Sequence, residues 1–160
     1  MLIPFDEMPK SARVWIYQAD RSIVSEEREF IEKSTADFLN GWAAHNQALK
    51  SSYSIFHNKF LVLTVDESFN LASGCSIDAS VHFVQELGEK LGINFFDRTK
   101  VAFLLDGEIF ESSMNEMKSL VADGKINAET LTFNNLVPNL DEFENQWQVP
   151  TGKTWLSRYL

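Results

Sequence analysis

The order in which β-rich and helical stretches follow one another constrains the fold of this chain more than any other sequence feature. The β-rich stretches are dense in branched and aromatic residues, and the helical stretches carry apolar side chains three or four residues apart. In chain order, the pattern predicts a strand at 13–17, a helix at 25–40, strands at 52–57 and 60–65, a helix at 77–91 and a strand at 100–105.

This order predicts an α+β fold. Strand, helix, strand, strand, helix, strand is the order of the ferredoxin-like βαββαβ core, in which both helices cover one face of a four-stranded antiparallel sheet. We assign residues 1–106 to this core and residues 107–160 to a C-terminal α/β appendage packed on it. The free face of the sheet is expected to be covered by the appendage or by a partner, which includes a second copy in a homodimer.

The appendage has its own turn and helix patterns. Asp106-Gly107 predicts a tight turn between two short β-rich runs, and residues 140–146 predict a helix. Residues 130–133 predict a short strand. The aromatic residues of the tail are expected to pack back onto the body, namely Trp147, Trp155 and Tyr159.

Composition and charge restrict the partners that the chain can have. The 160 residues include 23 acidic and 14 basic side chains, for a formal net charge of −9, and no Lys/Arg-rich stretch. Nucleic acids and anionic membrane surfaces are bound through clustered cations, so neither is an expected partner. The chain has one cysteine, hence no intramolecular disulfide, and no apolar run of the roughly 20 residues that a membrane helix needs. We expect a soluble, cytoplasmic protein.

The segment 73–82 brings together the residue types that most often form sites. Ser73, Gly74 and Ser76 lie around the predicted start of the second helix, where the partial positive charge of a helix N-terminus favours anions. Asp66 ends the preceding strand and could line a cleft beside this loop. These four residues are the candidate ligand-binding set for a small molecule or a protein partner.

A catalytic interpretation of the same segment makes Cys75 the nucleophile, His82 its base and Asp78 the orienting group. His57 is a second possible base, and Asp66 could assist in place of Asp78. The structural interpretation has Ser76 as the helix cap, Asp78 stabilising the first turn, His82 on the solvated face and Cys75 as a small buried residue. It is favoured because a histidine one full turn further along the helix points away from a thiol at the helix start.

The sequence gives little support for a phosphate-binding loop or for a metal site. Gly152-Lys153-Thr154 matches the end of a phosphate-binding loop, but Trp147 stands where the first glycine is needed and Pro150 interrupts the loop. The tripeptide is therefore predicted to be a surface turn. The histidines and the cysteine show no tight metal-ligand spacing, so no metal and no cofactor is predicted.

Residues 13–21, 73–78 and 96–103 carry a resemblance that extends over the whole chain. They resemble a small family of bacterial proteins of similar length and unknown function, many of which carry the name "ABC transporter ATPase". The chain has no complete Walker A motif and no LSGGQ-type signature, so the resemblance does not imply ATPase activity. The favoured function is a non-catalytic binding or interaction protein, and the alternative is a small thiol-dependent enzyme that uses Cys75.

Residues 120–133 carry a second resemblance. The run resembles the helix, G-K-I, D-T-L-V-W pattern of GYF-related modules, which are small protein-interaction or accessory domains. No Gly-Pro precedes the helix, and Phe133 stands where tryptophan is usual. The resemblance implies a local architecture and no particular ligand.

Overall fold

The computed structural model describes residues 1–160, and it confirms an α+β protein. None of its helices combines the length and the apolar character that crossing a bilayer requires. The helices are α1 Ser25–Asn40, α2 Gly74–Leu91, α3 Met117–Ala122 and α4 Leu140–Gln146. The strands are β1 Arg13–Gln18, β2 Ala43–Ala44, β3 Gln47–Ala48, β4 Ser51–Phe56, β5 Phe60–Val65, β6 Lys100–Leu105, β7 Glu108–Ser113, β8 Leu131–Phe133 and β9 Gln148–Pro150.

The first three long strands form one antiparallel sheet in the order β1-β5-β4. Because β1 and β4 are each antiparallel to β5, they are parallel to each other, and α1 crosses from one to the other. This is the arrangement of the first three strands in a ferredoxin-like core. The hairpin of β4 and β5 forms where the sequence predicts it.

The ferredoxin-like topology is not confirmed, because β6 does not join this sheet. It lies instead in a separate sheet with the order β7-β6-β8-β9, and β2 and β3 form a small hairpin of their own. Asp106 and Gly107 adopt φ angles of 51° and 80°, the left-handed conformation of a tight hairpin turn, and thereby bring β7 beside β6. β6 was expected to pair with the edge of β1. Only the start of that edge is paired, where Val14 N donates to Pro138 O.

Helices α1 and α2 cover one face of the first sheet. Ile31 and Val84 from the helices pack with Leu61 and Leu63 of β5, and all four are fully buried. α2 ends at Gly92 in the left-handed conformation, as predicted, and the chain then folds back over Gly88. A side chain at Gly88 would place its Cβ 2.3 Å from the Ile93 carbonyl oxygen, so only glycine allows this return.

The C-terminal part of the chain covers the other face of the same sheet. Val14, Phe60 and Val62 pack there against α4 and Trp147 in a second core cluster. The face that the helices leave free is therefore filled by the chain itself. The division into a core of residues 1–106 and an appendage of residues 107–160 stays a prediction.

A carboxylate–guanidinium pair joins the two long helices. Glu27, in the first turn of α1, accepts hydrogen bonds from both terminal nitrogens of Arg21, at 2.8 and 2.6 Å. Arg21 also donates to the Leu91 carbonyl at the end of α2, at 2.8 Å. The hydrogen bonds from Arg21, and after them the one from Val24 N–H, lower the pKa of Glu27 to about 2.

Replacing Glu27 by glutamine is expected to lower the free energy of unfolding by about 1 kcal/mol near neutral pH, since the pair is partly exposed. The folded-state pKa of Glu27 lies below its ordinary value of 4.5, so the carboxylate stabilises the fold above that value. The contribution is lost as the pH falls toward 2. Urea unfolding across this range measures it, with exposed Glu29→Gln as the control. If the difference in unfolding free energy between the wild type and Glu27→Gln stayed the same near pH 2, the stabilising role of the Glu27 carboxylate would be contradicted.

Candidate functional site

The predicted anion-binding residues at the start of α2 bond to one another. Ser73, not Ser76, is the N-cap, because its Oγ accepts from Ser76 N at 3.1 Å. In return, Ser76 Oγ accepts from Ser73 N at 2.8 Å and donates to Ser73 O. The helix begins three residues earlier than the Ser76 cap predicts, at Gly74, where the ideal Cβ position meets open space.

Asp66 is used in the same way. It is 6% exposed, and its Oδ1 accepts from both Ser68 N at 3.0 Å and Ser68 Oγ at 2.6 Å, while Oδ2 lies 3.8 Å from Lys50 Nζ. Glu67 accepts from Ala72 N at 3.0 Å. These carboxylates hold the loop between β5 and α2 in shape.

The residues of the proposed catalytic set are not joined by hydrogen bonds. Cys75 is exposed, which corrects the interpretation of it as a buried residue, and Asp78 and His82 are exposed along α2. His57 lies elsewhere, at the β4–β5 turn, where its ring packs 6.0 Å from that of Trp147. A catalytic role for Cys75 stays a prediction. No three His, Cys, Asp or Glu side chains come together as metal ligands would.

The surface contains a cleft that no sequence pattern predicted. It has a volume of about 1210 Å³ and lies between the two main sheets. All six residues of β1 line one wall, and the start of β6 lines the opposite wall with residues 132–138 and 148–150. None of the predicted site residues borders it. The cleft exists because β6 stands off from β1.

The cleft concentrates positive charge. Four of the 14 basic residues line it, whereas Asp97 is the only one of the 23 acidic residues to do so. Asp97 accepts hydrogen bonds from Oγ1 and N of Thr99. These bonds lower the pKa of Asp97, and the bond from the hydroxyl has the larger effect. The four basic residues are Arg13, Arg98, Lys100 and Lys153.

Three of these cations form no salt bridge, although Lys100 is near enough to Asp97 to contribute to the lowered pKa of that carboxyl. Arg98, Lys100 and Lys153 form no ion pair in the protein, and Arg13 has only Glu67, at 3.8 Å. Lys153 belongs to the tripeptide that matches the end of a phosphate-binding loop, and it lies in a short 3₁₀ turn as the predicted surface turn requires. Gly152 in that turn packs on Ala128, which a Cβ would approach to 3.0 Å.

Exposed apolar side chains lie beside the cations. Phe96, Leu136 and Trp155 line the cleft and are 38%, 90% and 51% exposed. The prediction that Trp155 packs back onto the body is therefore wrong, whereas Trp147 is buried as predicted. Tyr17 also borders the cleft, and burial raises the pKa of its phenol above 10, so the hydroxyl stays neutral at physiological pH.

A chain of side-chain hydrogen bonds spans the cleft at one point. Trp147 Nε1 donates to Asn135 Oδ1 at 2.9 Å, and Asn135 Nδ2 donates to Gln18 Oε1 at 3.0 Å. Gln18 Nε2 in turn donates to the Lys100 carbonyl at 3.4 Å. These contacts connect the two walls and set their separation.

Comparisons with models of protein families, with curated proteins and with solved structures gave no match to this chain. The two resemblances described above therefore stay predictions.

Proposed function

We propose that this protein is a non-catalytic binding protein and that the cleft between its two sheets takes an anionic ligand with an apolar part. The observation that carries this proposal is the charge of the cleft. In a chain of net charge −9, four basic side chains and one acidic side chain line the same concave surface.

The electrostatics of the cleft support this assignment. Charges of one sign that line a cleft with low-dielectric walls focus the field there and raise the local concentration of oppositely charged ligands. Outside the cleft the chain has 22 acidic and 10 basic residues, so the cleft is where attraction of an anion is expected. Holding like charges together without partners costs free energy, and a bound anion would offset that cost.

The apolar lining supports an amphipathic ligand. Binding sites for organic ligands combine mostly apolar walls with a few polar groups that set orientation. Half of the 30 residues that line the cleft are hydrophobic. Trp155 and Phe96 offer exposed aromatic rings next to the cations, which suits a carboxylate or phosphate attached to an apolar group.

The test is a calorimetric titration with trimesate, an aromatic tricarboxylate, and with inorganic phosphate as a purely ionic probe. We expect trimesate to bind, and the double variant Lys100→Gln/Lys153→Gln to bind it about tenfold more weakly, since two charge-assisted contacts are removed. Lys33→Gln/Lys118→Gln is the matched control, because it removes the same charge from exposed positions outside the cleft. If neither anion binds, the proposal is rejected. It is also rejected if the control variant loses as much affinity for trimesate as the cleft variant does.

A further inference from the structure

We infer that the ligand of this cleft is an extended acidic peptide segment that adds as a strand along the free edge of β1. This inference rests on the proposed function and names the partner of the same site. It is carried by the backbone of β1, by the opposite wall and by the size and charge of the cleft.

The backbone groups of β1 that face the cleft can be assigned from the alternation of a strand. Ala12 O accepts from Leu140 N at 2.9 Å and Val14 N donates to Pro138 O at 3.1 Å, both away from β5. Ala19 N donates to Lys59 O in the opposite direction, which confirms that the even-numbered residues point outward. Ile16 and Gln18 therefore direct their main-chain groups into the cleft.

These outward groups have no partner within the protein. Ile16 N–H and C=O make no hydrogen bond with any residue outside the sheet, and within the sheet β1 pairs only with β5, on its other side. The same holds for Gln18 N–H. An unpaired strand edge is a template for another extended chain, and proteins normally cover or interrupt such edges.

The chain itself shows the position that an added strand would take. Asn139 forms an isolated antiparallel bridge with Arg13, so residues 138–140 occupy the first positions beside β1. Because this bridge is antiparallel, the positions beside Ile16 and Gln18 come before Pro138 in that line, and the backbone of residues 134–137 does not pair with β1 there. A peptide in that line would continue an existing pairing.

The opposite wall offers a second set of main-chain groups. The Thr132 hydroxyl donates to Ala102 O, and Gln18 Nε2 donates to Lys100 O, so the even-numbered residues of β6 face β8 and the cleft. β8 pairs with β6 only at Phe103 and Leu104. At the start of β6 the Lys100 carbonyl accepts only from the Gln18 side chain, so no backbone of this chain pairs with β6 at that point.

Size and charge favour a peptide over a small molecule. The volume of about 1210 Å³ exceeds the roughly 300–1,000 Å³ of typical small-molecule sites. The cleft follows the full length of β1, and an added strand displaces the Gln18 side chain, whose hydrogen bonds to Asn135 and the Lys100 carbonyl cross the cleft. Such a strand gains affinity from main-chain hydrogen bonds and specificity from side chains that alternate between the two walls. The cations Arg13, Arg98, Lys100 and Lys153 complement acidic side chains on that strand.

The experiment compares an acetylated and amidated octapeptide of alternating glutamate and valine with the same peptide N-methylated at every second residue. Methylation removes the amide hydrogens that pair with a strand edge and leaves the charge unchanged. We expect the unmethylated peptide to bind at least tenfold more tightly. We also expect at least tenfold slower hydrogen exchange of the Ile16 amide at saturation, measured by NMR, in an otherwise unchanged fold.

The outcomes separate this inference from the proposed function. Equal affinities of the two peptides, or no peptide binding while trimesate still binds, would overturn strand addition and leave the anion cleft in place. Failure of both trimesate and the peptides would reject both proposals. Tighter binding of a single-stranded oligothymidylate than of the acidic peptide, abolished by Lys100→Gln/Lys153→Gln, would replace the peptide with a nucleic acid.

Discussion

Replacing Trp147 by alanine is expected to lower the free energy of unfolding by about 4 kcal/mol, the cost typical of removing a large buried aromatic side chain. The indole is 3% exposed and contacts the rings of Phe60, Phe133 and Phe143, with centroid distances of 4.9, 4.8 and 4.6 Å. These rings come from β5, β8 and α4, so the cavity would open where the two sheets meet. Urea unfolding followed by circular dichroism measures the loss.

The matched variant is Trp147→Phe, which keeps an aromatic ring but removes the indole N–H. It deletes the hydrogen bond to Asn135 at 2.9 Å and is expected to cost about 1–2 kcal/mol. Because Asn135 bonds Gln18 on β1, this variant should also change the NMR shifts of cleft residues without unfolding the protein. A loss below about 1 kcal/mol for Trp147→Ala would show that the site collapses without a cavity, against the packing described here.

Replacing Glu111 by leucine is expected to lower the free energy of unfolding by about 3 kcal/mol, because it strands a buried ammonium group. Glu111 on β7 forms an ion pair with Lys59 at the β4–β5 turn, and the Lys59 side chain is 3% exposed. Glu111 faces the Lys59 ammonium through Oε2, so removing the carboxylate leaves that charge without its partner. The measurement is urea unfolding at neutral pH.

The double variant Lys59→Met/Glu111→Leu is the control that isolates the stranded charge. Both groups are replaced by apolar side chains of similar length, so its free energy of unfolding is expected to return to within about 1 kcal/mol of the wild-type value. A double variant as unstable as Glu111→Leu would mean that packing, not the unpaired charge, causes the loss. Either way, the pair connects the hairpin of the first sheet with the second sheet, and so supports one end of the arrangement that leaves the cleft open.

The cleft could not be predicted from the sequence, and the site that was predicted, in the loop at 73–78, serves local structure. The loop at 73–78 contains the right residue types, but Ser73, Ser76 and Asp66 are engaged in capping and turn hydrogen bonds. These residue types serve local backbone structure as readily as they serve ligands. The cleft residues carry no local pattern, since Arg13, Lys100 and Lys153 lie far apart in the chain and each is unremarkable alone.

Local spacing determined the elements of this protein. The bounds of α1 and α4, the hairpin of β4 and β5, the turn at Asp106 and the end of α2 at Gly92 follow from periodicity and turn chemistry within a few residues. Those preferences act between neighbours in sequence and need no knowledge of the fold. The acidic net charge and the α+β class were likewise available from the residues alone.

Only the tertiary structure decided which edge β6 joins. A strand at 100–105 can pair with β1 or with β7 and β8, and its own residues suit either sheet, because pairing is selected by non-local packing and not by the strand's sequence pattern. Joining β7 and β8 leaves β1 with a free edge and draws dispersed cations around it. The cleft thus results from strand pairing between distant parts of the chain, and no single stretch of the sequence could predict it.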